Sequence, residues 1–214
     1  MLSAMFAGFS PDALTFYEGL EADNTKAYWT ANRDTYEGSV REPMEDLVEE
    51  LRDEFGLGKV FRPYRDVRFS KDKRLYKEAC GAVLHPEGAA FTVHYVELSA
   101  KGLRLGVGAW HFEPELLRRI RTAIDDDGRG GSLQEIAARL DEEGMPLHAP
   151  ELKTAPRGFA KDHPRIELLR RKRFAATALL EPGPWLHTRE ALDRVAEQWR
   201  LAAPLNAWLE RAAA

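Results

Sequence analysis

The stretch "AFTVHYVELSAKGLRLGVGAW", residues 90–110, decides the fold class. Its first part, "AFTVHYVELS", is rich in β-branched and aromatic residues and reads as a strand. Ala100, Lys101 and Gly102 then supply a short connection, and "GLRLGVGAW" resumes a strand-like run, so the stretch predicts a β-hairpin. Gly106 and Gly108 strip side chains from the second strand, which marks a close approach by packing or by a ligand.

Working outward, "CGAVLH" (80–85) and "FAATALL" (174–180) read as further strands, and "KVFRPYRDVRF" (59–69) is extended in character, with Pro63 at an edge or bulge. Helices flank this run. "SPDALTFYEGLEAD" starts one at Pro11, and a second helical region follows from Asn24. Gly38 and Pro43 interrupt it. "PMEDLVEELRDEFG" carries a buried stripe of Met44, Leu47, Val48, Leu51 and Phe55. "EPELLRRIRTAIDD" and "SLQEIAARLDEEG" follow, the latter capped by Ser132, and a last helix from Thr188 should kink or break at Pro204. The expected architecture is α+β: one domain over residues 1–214, with a central, mostly antiparallel curved sheet covered by helices from both termini.

The 214 residues are 44% hydrophobic and 31% charged, enough for a real core. No apolar run approaches the roughly 18 residues of a membrane span. The N-terminus lacks a basic, then apolar, leader pattern, and Cys80 is the single cysteine, so the expected location is the cytoplasm and the expectation is no metal site. No cofactor fingerprint occurs: there is no phosphate-binding Gly-Lys loop, and the glycines of "GLRLGVGAW" lie inside a strand. The sequence sets no oligomeric state.

Net charge is −4, but it is uneven. Lys59–Lys77 holds eight Lys or Arg against two acids, and Lys153–Arg173 does the same. Two basic islands thus sit in an acidic background, which argues against nucleic acid and for a local anion site. In "FRPYRDVRFSKDKRLYK" (61–77), strand alternation puts Arg62, Tyr64, Asp66 and Arg68 on one face and Phe61, Pro63, Arg65, Val67 and Phe69 on the other. Arginine forks suit a phosphate or carboxylate, a tyrosine adds a hydroxyl, and an aspartate can brace a neighbouring arginine.

The expected anion contacts are Arg62, Arg65, Arg68, Lys73, Lys77, Lys153, Arg157 and Arg165, oriented by Tyr64, Asp66, Asp72 and His163. The two islands are expected to meet in one pocket over the sheet that takes a small anionic ligand. Should there be catalysis, His163 or Asp66 is the candidate acid–base group. The alternative is a structural or partner-binding protein whose islands are ion-paired internally or dock an acidic partner.

These motifs in this order resemble the DUF2461 family of bacterial and fungal proteins. The marks are "FAGF", Asn24, Tyr28 and Trp29, "FRPYRDVRFSKDKRLYK", "GLRLGVGAW", "LKTAPRGFAKDHPRIELLR" and "PWLHT", spanning about Phe6 to Leu209. The resemblance implies a shared full-length fold and supplies no activity.

Overall fold

A computed structural model describes residues 5–66, 68 and 73–214. The helices, in chain order, are α1 (Pro11–Ala22), α2 (Lys26–Ala31), α3 (Arg33–Tyr36), α4 (Glu42–Phe55), α5 (Pro114–Asp125), α6 (Asp127–Glu142), α7 (Ile166–Leu169) and α8 (Glu190–Ala213). The strands are β1 (Leu57–Val60), β2 (Ala79–His85), β3 (Val93–Ser99), β4 (Gly102–Ala109) and β5 (Phe174–Leu180). They form an open antiparallel sheet in the order β1-β2-β3-β4-β5. The fold is α+β with helices around a sheet, and the hairpin of residues 90–110 is its β3–β4 pair.

The chain forms two compact units, each assembled from separated segments. The first comprises residues 1–87, 94–105 and 179–198; the second, residues 88–93, 106–178 and 199–214.

In the first unit, β2 and β3 pair with Gly81 opposite Glu97 and Val83 opposite Tyr95. Period-two alternation then separates the side chains. Cys80, Ala82, Leu84, His94, Val96 and Leu98 are buried, while Tyr95, Glu97 and Ser99 occupy the other, partly open face. The core is completed by Phe16, Tyr17 and Leu20 of α1 and by the α4 stripe read from the sequence. His94 therefore belongs to the core. Burial pushes its imidazole down to about 4, and its ring packs edge-on against Phe55.

Gly38 and Pro43 do not end a helix as the sequence suggested. The chain passes from α3 through a π-helical turn, Glu37–Arg41, directly into α4, whose first turn holds Pro43.

In the second unit, α5, α6 and the C-terminal part of α8 bury Ile120, Ala123, Ile124, Leu133, Leu140, Leu205 and Leu209, and β5 buries Phe174 to Ala176. Gly108 has φ of +125°, and a Cβ there would lie 2.1 Å from the Phe174 carbonyl. The close approach anticipated for this glycine is thus strand packing. The expected cap Ser132 is not the start of α6. Asp126 is, its Oδ1 accepting from the Arg129 N–H at 2.8 Å. Gly130 lies inside the helix because a Cβ there would meet the Ile124 carbonyl at 2.1 Å and Arg165 Nε at 2.5 Å. The expected break at Pro204 is absent as well: α8 runs continuously from Glu190 to Ala213.

Candidate functional site

The basic stretch 61–77 does not continue β1 as a regular strand. The strand stops at Val60, and beyond it residues 61–66 run beside 73–81 as an irregular antiparallel ribbon. Phe61 N–H donates to Gly81 O (2.8 Å), Arg65 N–H to Leu75 O (2.9 Å) and Lys77 N–H to Pro63 O (2.8 Å), bracketing an isolated bridge between Tyr64 and Tyr76. Pro63 offers only its carbonyl, which is one reason the pairing is sparse.

One side of this ribbon is aromatic. Tyr76 stacks on Trp29 with ring centroids 4.3 Å apart and planes 6° apart, and Tyr64 packs on both (6.0 Å and 5.4 Å). The Asn24 amide clips the Tyr76 backbone like a strand partner, donating from Nδ2 to its carbonyl (3.2 Å) and accepting its N–H at Oδ1 (3.0 Å). Tyr28 donates its hydroxyl to Phe16 O at 2.9 Å, in room that Gly19 leaves. Asn24 and Trp29 thus hold the ribbon in place, while Tyr28 ties α2 to α1.

The ribbon's other side faces a groove of about 550 Å³. Its floor is built from Phe61, Gly81 and Tyr95. A Cβ on Gly81 would lie 2.7 Å from Tyr95 Oη, so the glycine is what lets the tyrosine lie across the sheet. Tyr95 donates its hydroxyl to Glu97 Oε2 at 2.6 Å; burial, then this bond, raise its phenol above the ordinary range. Arg65 and Lys77 enter from the ribbon, Lys101 from the hairpin turn and Arg104 from β4. Three glutamates also line the groove: Glu21, Glu78 and Glu97. Two have cationic neighbours: Glu97 lies 3.6 Å from Arg104 Nε and Glu78 lies 2.5 Å from Arg74 Nη1. The four cations around an aromatic floor suit a small ligand with an anionic group.

Other expected site residues fall elsewhere. Among the described residues of this stretch, neighbours along the chain take different surroundings. Phe61 and Arg65 line the groove, whereas Tyr64 joins the aromatic cluster. Arg62 is exposed, as is Lys73. Arg68 grips Asp66 with a two-pronged ion pair (Nε–Oδ1 2.9 Å, Nη2–Oδ2 2.6 Å), and this bond holds the Asp66 carboxyl below its usual range. Asp72, Val67 and Phe69 lie outside the described residues.

The second island belongs to the second unit. Lys153 and Arg157 are exposed there. Arg165 is only 7% exposed and joins the ends of two helices: Nε donates to Ile124 O (2.6 Å), and Nη2 to Asp125 O (2.9 Å) and Asp127 Oδ1 (2.8 Å). His163 braces the same junction, its Nδ1 accepting the Arg165 N–H (2.9 Å) and its Nε2 lying 3.1 Å from Asp125 Oδ1. With Nδ1 accepting, the ring proton sits on Nε2. Both ring nitrogens are thus engaged in structural bonds. Arg170 donates to Leu152 O (2.5 Å) and Arg173 pairs with Glu151 (2.6 Å).

Tyr95, Glu97, Lys101, Arg104 and Gly81 were not among the expected site residues. Their signal was present in the hairpin, where Tyr95 and Glu97 alternate with buried Val96 and Leu98, and in the glycine of "CGAVLH". Among the described residues there is no cluster of His, Cys, Asp and Glu able to hold a metal, and no helix is long and apolar enough to cross a membrane.

Comparison with known proteins adds one finding. The model of a family described as "Conserved hypothetical protein (DUF2461)" matches residues 12–208. No curated protein and no solved structure matches the chain.

Proposed function

The chain belongs to the DUF2461 family, whose description names no reaction, and from the groove itself we propose that the protein binds a small phosphate- or carboxylate-bearing molecule. The observation that carries the reading is the convergence of Arg65, Lys77, Lys101 and Arg104 on one groove floored by Phe61, Gly81 and Tyr95. Arginine forks and lysine ammoniums supply the charge-assisted hydrogen bonds an oxyanion needs, and the aromatic floor receives the flat or apolar remainder of the ligand. The reading rests on the first unit alone.

A second reading, a structural or partner-binding protein, draws on the internal pairing of other basic residues. Arg68 is tied to Asp66, Arg165 to Asp127, Arg170 to Glu167 and Arg173 to Glu151. A thermal-shift screen with phosphorylated and carboxylated metabolites separates the two. A ligand at a hundred times its Kd stabilises by about 2.7 kcal/mol, which for a chain of this size raises Tm by roughly 5–10 °C. The shift should fall to about half or less in Arg104→Ala, as a tenfold loss of affinity requires, and persist in Arg68→Ala. A panel that moves Tm nowhere, or moves both variants like wild type, favours the second reading.

A further inference from the structure

Lys77 is held more firmly than an anion contact requires. Its own N–H is bonded to Pro63 O (2.8 Å), and the residue before it is clipped by Asn24 and stacked on Trp29. From this anchor the side chain reaches into the groove, and its Nζ lies 5.3 Å from the centre of the Phe61 ring. The same groove is lined by Arg65 and by the Tyr95–Glu97 hydrogen-bonded pair. Burial, then the charges of Arg62 and Arg65, push the Lys77 ammonium below its ordinary range, with Cys80 and Glu97 opposing in part. An amine that is partly desolvated and crowded by other cations gives up its proton more readily than a free one.

We propose that Lys77 forms an imine with a small aldehyde or ketone whose phosphate or carboxylate is held by the surrounding arginines. The proposal deepens the anion-binding reading and rests on it. In the step, the free-amine nitrogen adds to the carbonyl carbon, and the C=O π electrons move to oxygen. The nitrogen passes one proton to that oxygen, giving a carbinolamine; its lone pair then forms the C=N bond as the C–O bond breaks, and its second proton completes the water that leaves. One amine and one carbonyl compound thus give one imine and one water, with no oxidant or reductant. Arg65 and Arg104 orient the anionic end, so the carbonyl end is presented to Nζ.

The test is reductive trapping on the intact protein. Glycolaldehyde phosphate, with cyanoborohydride, is compared with glycolaldehyde lacking the phosphate, and adducts are mapped by peptide mass spectrometry. The expected result is at least about tenfold more adduct on Lys77 than on exposed Lys26 or Lys59, the gain that modest phosphate binding provides. Inorganic phosphate should suppress it, and phosphate-free glycolaldehyde should not show it. Lys77→Arg should abolish this adduct and leave the background labelling of Lys26 and Lys59 unchanged.

Adduct spread evenly over Lys26, Lys59 and Lys77, alongside a clear thermal shift, overturns the imine and leaves anion binding standing. Neither shift nor selective adduct overturns both. Equal labelling of Lys77 by the two aldehydes overturns the anionic substrate class.

Discussion

Replacing Arg165 with methionine tests whether this residue is a ligand contact or a structural latch. In the structure its guanidinium donates to two main-chain carbonyls at the end of α5 and to Asp127 at the start of α6. It also fills the space that Gly130 leaves open. Methionine keeps most of the volume and removes every donor. Asp127 is 96% exposed, so that ion pair counts for little. The Ile124 and Asp125 carbonyls lose a charged donor, at about 1–3 kcal/mol each. Removing a buried cation returns part of this. The net expectation is about 3 kcal/mol of destabilisation, which lowers Tm by roughly 6–12 °C in a chain of this length. The assay is thermal unfolding followed by circular dichroism, with anion binding measured below the transition. Arg165→Met should melt early and, while folded, bind as wild type does. A variant that melts within about 2 °C of wild type yet loses anion binding would refute the latch and restore Arg165 as a ligand contact.

Gly81→Val should push Tyr95 off the floor, because a Cβ already falls 2.7 Å from its hydroxyl and 3.2 Å from its ring. Overpacking of this kind costs about 1–3 kcal/mol, and anion affinity should fall with it; unchanged melting and binding would contradict the floor geometry. Cys80 is 2% exposed and burial pushes its thiol up to about 11, so iodoacetamide should label it only after denaturation. Rapid native labelling would contradict its core placement. Glu210 accepts from the N–H groups of Ala90, Phe91 and Thr92 and from the Thr92 hydroxyl (2.7 Å). Burial alone would raise its carboxyl, but these bonds outweigh it and hold the group below the ordinary range. With the folded value depressed, this stability is present above the unfolded carboxylate range and is lost as pH falls through the folded value. Glu210→Gln should therefore melt lower at neutral pH and show a flatter acid limb in a Tm-versus-pH series; parallel curves would remove the clamp from the account.

The parts of the fold that were legible are those where local pattern and burial agree. The strand-forming run in the hairpin 90–110 becomes β3, which buries one face, and the α4 stripe from Met44 to Phe55 repeats at helical spacing because one face is core. Where local signals compete with packing, the reading fails. "DGRGGS" looks like a loop, yet Asp126 caps it, Trp208 Nε1 donates to Arg129 O at 2.9 Å, and Gly130 is required for the approach to Ile124 and Arg165. Pro204 looks like a break, but α8 passes through it.

For the groove, the charge run drew attention to Arg65 and Lys77 because density of charge is visible in one dimension. It could not show that Lys101 and Arg104, scattered along a hairpin, converge on the same space. Nor could it show that Arg68 is committed to Asp66, or Arg165 to helix ends, since those commitments depend on bonds that composition does not encode.

On the anion-binding reading, Arg65, Lys77, Lys101 and Arg104 act together on one ligand. Isothermal titration of pyrophosphate into wild type, Arg104→Ala and Arg68→Ala at low salt tests it most directly. Wild type and Arg68→Ala should bind alike, and Arg104→Ala should lose at least about tenfold in affinity, the loss of one charge-assisted contact. Equal affinity in Arg104→Ala and wild type, or loss confined to Arg68→Ala, would contradict the site.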